Sequence, residues 1–202
     1  MTGKVRIMMA GMLAAGVLAI GAYAAPAAAQ MTDLERQHLV AHLQVTAAWL
    51  IDEVSGLSPK QLAFQPGPDR WSIAQVLEHV VVVAPIYWKD LQTALARPSR
   101  GGSAMRDEDV LWYGIDRTRP DVAIPTERPP GQLRDLHTAL EQYRQHHDRL
   151  LEYVKTTRDD LRGHIVERQQ CDAYQWALLI STHEQRHILQ IREIKAHSAF
   201  PK

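Results

Sequence analysis

The stretch SIAQVLEHVVVVAPIYWKDLQTALA, residues 72–96, decides the fold. Its middle, Val80 to Val83, reads equally well as a buried strand. Its start settles the choice. Ser72 is a favoured helix N-cap, and Gln75 three residues on completes a capping box, in which each side chain satisfies an orphan backbone donor of the first turn. Ile73, Val76, Leu77, Val80, Ala84, Tyr87 and Leu91 then recur at the three- and four-residue spacing of an apolar helical stripe. Strands in such runs extend over about 4–8 residues, so the length also speaks for helix. The spacing predicts a helix from Ser72 to about Ala96, with Pro85 removing one hydrogen bond from its interior.

Three more segments carry the same period. Leu39, Leu43, Leu50 and Val54 mark a helix from about Thr32 to Val54, stopped by Gly56 and Pro59. Leu133, Leu136, Leu140, Tyr143, Leu150 and Val154 mark one from about Gln132 to Thr156. Trp176, Leu179, Ile180, Ile188, Ile191 and Ile194 mark the last, from Asp172 as N-cap to about Ala196. A connector, Leu57 to Arg70, turns at Pro66-Gly67-Pro68. A long irregular region, Arg97 to Pro130, is rich in proline and glycine. Its Leu111-Trp112-Tyr113 gives it apolar surface to bury, so we read it as a tethered cover over one end of the helices. No other segment alternates as a strand would. Helices of twenty-odd residues, about 30–37 Å long, make an all-α four-helix bundle with a long loop between helices two and three.

The chain has 202 residues. Lys4 and Arg6, the apolar run Ile7 to Ile20, and Ala27-Ala28-Ala29 form the three parts of a secretory signal peptide. The expected division is therefore residues 1–29 as signal peptide and 30–202 as the bundle domain, periplasmic or secreted. No stable membrane span is expected after cleavage. Residues 30–202 keep 21 basic residues against 23 acidic ones. A nucleic-acid binder carries a basic excess or stripe, and none is present. Cys171 is the single cysteine, which excludes an internal disulfide. It precedes the Asp172 cap, where a helix N-terminus can lower a thiol pKa.

His183 and His187 stand four apart, on one helical face one turn from each other, where two imidazoles can grip one metal ion. Gln190 and Trp176 share that face. Spacing alone does not single the pair out, because His38 and His42 repeat it on the first helix. His79 breaks the tie. It lies inside the apolar run Val76-Leu77-Glu78-His79-Val80-Val81, and a buried imidazole needs a partner. Either it bonds a carbonyl or hydroxyl, or it joins the pair.

Residues 57–79, LSPKQLAFQPGPDRWSIAQVLEH, and 183–190, HEQRHILQ, together resemble the DinB-like superfamily of metal-binding four-helix bundles. The resemblance spans about Met31 to His197. It implies a divalent metal, typically zinc or nickel, bound by His79, His183 and His187. It further implies a metal-dependent hydrolase, or a transferase using low-molecular-weight thiols such as bacillithiol or mycothiol, acting on a small molecule. Those thiols are cytosolic, whereas this chain reads as exported. Three imidazoles leave a divalent ion an open position for water or substrate. His147 and His42 are the other histidines in range, and neither is expected to bind.

Two other readings compete. The bundle can bind metal without catalysis. Alternatively His183-Glu184-Gln185-Arg186-His187 matches H-E-x-x-H, in which the glutamate is the general base of a zinc protease. Against the protease, Gln190 and Glu193 stand where a longer motif of that class has glycine and histidine. Glu184 then reads as exposed or as a support behind the metal ligands, Glu78 as solvated, Arg186 as the partner of a carboxylate on the first helix or of a substrate anion, and Trp49, Trp71 and Trp88 as packing residues. Trp112 and Tyr113 are expected to close the pocket. A homodimer is compatible with such a bundle, though no stretch of sequence encodes it.

Overall fold

The computed structural model describes residues 30–118 and 135–202. The expected signal peptide, residues 1–29, lies outside the described residues, as do Gln132 and Leu133. The four expected helices are α1 (Asp33–Val54), α3 (Ile73–Leu95), α5 (Leu136–Thr156) and α6 (Ala173–Lys195). Thr32, Ser72 and Asp172 each close a capping box on α1, α3 and α6. Among the described residues α5 begins at Leu136, where the Asp135 carboxylate accepts the backbone N–H groups of His137 and Thr138.

The connectors hold more structure than their composition predicts. Ser58 caps a short helix, α2 (Pro59–Ala63), in the first connector. The long loop contains α4 (Asp107–Ile115), whose first turn carries Asp107, Glu108 and Asp109 against the positive end of the helix dipole. Between α5 and α6 a hairpin pairs β1 (Ile165–Val166) with β2 (Cys171–Asp172) antiparallel, Ile165 opposite Asp172 and Val166 opposite Cys171. Two-residue strands leave no alternation for a sequence to show.

α6 packs against α1, α3 and α4, while α5 packs against α1 and α3. α6 is therefore enclosed on three sides. This explains the unbroken burial of residues 171–184, including the polar Gln175, Ser181 and Thr182. The expected apolar stripes are the core: Leu39, Leu43, Leu50 and Val54 meet Ile73, Leu77, Leu91, Ile188 and Ile191, each without exposed surface. α4 lies directly on α6 at Gly114. A Cβ there would stand 2.7 Å from Gln185 Oε1 and 3.0 Å from Thr182 Cβ, so any larger residue would have to displace the Gln185 side chain and press on Thr182. No described helix is long and apolar enough to cross a membrane.

One charged node ties the hairpin end together. Arg162 donates to Glu35 of α1, to Asp107 of α4 at 3.0 Å and to Asp172 at 3.0 Å. Its guanidinium carbon also lies 3.8 Å from the centre of the Tyr174 ring. Cys171, beside it, is fully buried, and burial pushes its thiol up to about 12. Desolvation and the Asp172 charge outweigh any lowering by the helix N-terminus, and Cys171 is an incidental buried thiol.

Candidate metal centre

His79 stands two turns into α3, and His183 and His187 stand one turn apart on α6. The packing of α3 on α6 brings the three rings together. Nε2 of His183 lies 3.3 Å from Nε2 of His79 and 3.1 Å from Nε2 of His187. One nitrogen from each ring lies within 4.8 Å of the other two, and all three residues are buried. No carboxylate oxygen or thiol among the described residues joins that group.

The protonation of the cluster follows from its surroundings. Burial lowers His79 to about 4 and His187 to about 3, and the neighbouring imidazoles and Arg186 add to the burial that holds His183 well below its ordinary value. All three rings are neutral at pH 7, the form that binds metal. The tautomer of His187 is also set. Its Nδ1–H donates to Gln190 Oε1 at 2.9 Å, which leaves a lone pair on Nε2 facing the cluster.

These residues fit a divalent ion. Ligands about 2.0–2.1 Å from a tetrahedral zinc stand about 3.3 Å apart, close to the two Nε2 separations given above. Neutral imidazoles can share a proton only in pairs, whereas one cation accepts a lone pair from all three at once.

Aromatic rings hold the imidazoles in place. Trp71 lies nearly parallel to His187, centroids 6.3 Å apart, and tilts against His79 at 5.2 Å. Tyr87 meets His183 edge-on at 5.5 Å, and Trp176 packs behind Tyr87 at 5.1 Å. Trp176 Nε1 donates to the Tyr87 carbonyl at 2.9 Å, so the expected face of Trp176, His183, His187 and Gln190 is one connected unit. Tyr87, read in the sequence only as an apolar stripe member, buries a hydroxyl that has no hydrogen-bond partner among the described residues.

Other candidates stand elsewhere or act differently. His147 bonds the Leu43 carbonyl at 3.1 Å, and His42 meets Ser181 Oγ at 2.8 Å. Glu184 is buried and accepts from the Tyr143 hydroxyl of α5 at 2.9 Å, and burial raises its carboxyl to about 8. It is neither solvated nor among the atoms that converge at the cluster. Glu78 is likewise buried, because α3 is enclosed on that side too. Trp49 is 40% exposed under Arg192, so it does not belong to the core. Trp88 is half-buried and meets Tyr153 edge-on.

Arg186 does not reach a carboxylate of α1. It donates to the carbonyls of Tyr113, at 3.1 Å, and Asp116, and lies over the Tyr113 ring. It is a strut that fastens α4 to α6 beside the cluster. The described part of the long loop thus packs on the bundle through α4, with Tyr113 half-buried, while Trp112 is 63% exposed. Just past α4, Arg117 forks onto Glu193 through Nε and Nη2, both at 2.9 Å. Neither residue stands out in the sequence, because the partners are 76 positions apart.

A family model described as the DinB superfamily matches residues 38–191, a span that contains His79, His183 and His187. No curated protein matches the chain. Among solved structures the chain is similar to YfiT from Bacillus subtilis, described as "a probable metal-dependent hydrolase with an unusual four-helix bundle topology". The two are 16% identical, the match covers 85% of this chain and 92% of that one, and the TM-score is 0.57. At that identity the likeness is one of fold.

Proposed function

This chain belongs to the DinB superfamily, and from that premise we propose that it is an exported metal-dependent hydrolase, acting on a small molecule, with one divalent ion held by His79, His183 and His187. The observation that carries the reading is the convergence of three neutral, buried imidazole nitrogens at 3.1 and 3.3 Å. The fold shared with YfiT, itself described as a probable metal-dependent hydrolase, supports it. Three imidazoles suit zinc or nickel. The basic start, apolar run and Ala27-Ala28-Ala29 support export.

When bound, such an ion supplies Lewis-acid polarisation of a carbonyl or phosphoryl oxygen, with positions left for substrate and water. The chain's own residues do the rest. Gln190 orients His187, Trp71 and Tyr87 exclude water from the rings, and Arg186 keeps α4 across the approach. A second reading, a module that binds metal without catalysis, is favoured by the absence of a carboxylate from the converging group among the described residues.

Purified without a chelating tag, the protein is expected to carry about one equivalent of metal by plasma mass spectrometry, and a His79→Ala/His183→Ala variant little. No metal in the wild type after reconstitution would make the histidines core residues and end both readings. Metal with no turnover on ester, amide or thiol-transfer substrates would favour the second.

A further inference from the structure

We propose that the Tyr87 hydroxyl donates a hydrogen bond to the reacting oxygen of the substrate, so that the site is built for a carbonyl or phosphoryl compound. The inference rests on the metal-centre reading above and narrows its substrate class.

The first support is position. Tyr87 and His79 share α3, eight residues apart, about 12 Å along the axis. α6 runs antiparallel to α3 here. His79 meets His183 and His187, while the Tyr87 carbonyl accepts the indole N–H of Trp176, two turns before His183. The Tyr87 ring is thereby held between Trp176 and His183, with centroids 5.1 and 5.5 Å away. Val110 of α4 packs in the same apolar cluster as Tyr87 and Val83, so the covering helix shares this side of the bundle.

The second support is the state of the hydroxyl. Tyr87 is 3% exposed, and its oxygen has no hydrogen-bond partner among the described residues. Tyr143, Tyr153 and Tyr174, by contrast, each donate to an acceptor of the chain. A buried hydroxyl without a partner has lost its water and gained nothing in return. Phenylalanine would fill the same space without that cost, so packing does not account for the oxygen.

The third support is chemistry. The converging group offers a metal three imidazole nitrogens and, among the described residues, no carboxylate. Of the aromatic rings packed on those imidazoles, Trp71 and Tyr87, only Tyr87 carries a hydroxyl. When water adds to a carbonyl carbon, the π pair moves onto the oxygen. A neutral O–H within reach donates to that oxygen and keeps its proton. Such donors, fixed in a dry site, stabilise the developing oxyanion. Sulfur is a weak acceptor, so the same hydroxyl does little for a thiol.

The test is calorimetric titration of the full-length zinc-loaded protein and its Tyr87→Phe variant with two probes. Acetohydroxamate binds zinc through oxygen, and ethanethiol binds it through sulfur alone. The variant is expected to bind acetohydroxamate about tenfold more weakly, as one lost hydrogen bond gives, and ethanethiol as before. In the metal-free protein the variant should melt at the same temperature or higher, since it removes an unpartnered buried hydroxyl. A loss shared equally by both probes is packing damage and overturns the proposal. No loss for either overturns it too, and makes a buried water the partner of the hydroxyl. A clear fall in the melting temperature also overturns it, because the hydroxyl then has a partner within the chain. Should the wild type bind neither probe, its zinc content decides. Without zinc the metal-centre reading falls and this proposal with it; with zinc this proposal falls alone.

Discussion

Two of the polar clusters that the chain buries along α6 are built on opposite rules. At the helix start, Arg162 is shared by Glu35, Asp107 and Asp172, so each carboxylate has a cationic partner and the node is held by groups of the chain itself. Between 11 and 15 residues further on, roughly 17–22 Å along the axis, three imidazoles turn their ring nitrogens on one another. No charged group of the described chain joins them. The difference teaches which buried polar cluster serves the fold and which serves a ligand. A cluster that closes on itself holds the structure, and a cluster that needs an ion is kept for the ion.

The comparison can be broken from either side. The largest effect is expected at the node. Arg162→Met leaves the buried Asp172 beside two other carboxylates and should cost about 3 kcal/mol, at the low end for breaking a buried pair because Glu35 and Asp107 are partly exposed. Denaturant unfolding measures this, and the metal content of the folded fraction should not change. A variant that lost its metal as well would show that the two regions are one unit. Gln190→Ala comes next. Removing the acceptor that orients His187 should weaken metal affinity by about 10–100-fold, read by competition with a chelator, with little loss of apoprotein stability. Unchanged affinity would return Gln190 to an ordinary surface role.

The smallest effect separates the two regions on the pH axis. In the metal-free protein His79 and His187 have folded values of about 4 and about 3, below an unfolded 6.5. The unfolded chain binds protons first, so their contribution is intact above pH 6.5 and is lost as pH falls towards 4 and 3. In the node, the Arg162 hydrogen bond lowers Asp107 from 3.8; burial opposes the same effect at Glu35, where hydrogen bonds from Thr32 and Arg162 prevail and lower it from 4.5. Their contribution is present above those unfolded values and is lost only in stronger acid. Asp172, raised by burial, runs the other way and blunts the node's response. Apoprotein urea midpoints should therefore start to fall near pH 6.5. A His79→Leu/His187→Leu variant should fall less steeply below pH 6.5, because fewer buried rings must take up protons, and an unchanged slope would contradict the separation.

Much of the fold is written locally. The Ser72–Gln75 box and the 3.6-residue period of Leu39, Leu43, Leu50 and Val54 give four helices because caps and stripes are short-range signals. The three histidines are legible as a group because His79 interrupts an apolar run and His183 and His187 share a turn. What stays hidden depends on partners far along the chain. α4 has nine residues between glycine- and proline-rich flanks, and it is held by Arg186, some 70 positions away. Glu184 looks solvated until Tyr143 of α5 arrives over it. Arg117 and Glu193, and the four members of the Arg162 node, carry no periodicity at all, since an ion pair between elements leaves no mark on the spacing within either one.

The enclosure of α6 also bears on how the molecule comes into being. Each of the other helices precedes it in the chain, and each of α1, α3 and α4 presents to it a surface that no other described helix covers as fully. A nascent chain that has reached only Thr156 lacks the helix against which α1, α3 and α4 bury apolar side chains such as Leu39, Leu43, Leu77 and Leu91. Core closure waits on contacts between segments far apart in sequence, the slow kind. Until those last turns are made, the half-built protein is sticky, and holding chaperones have their natural target there.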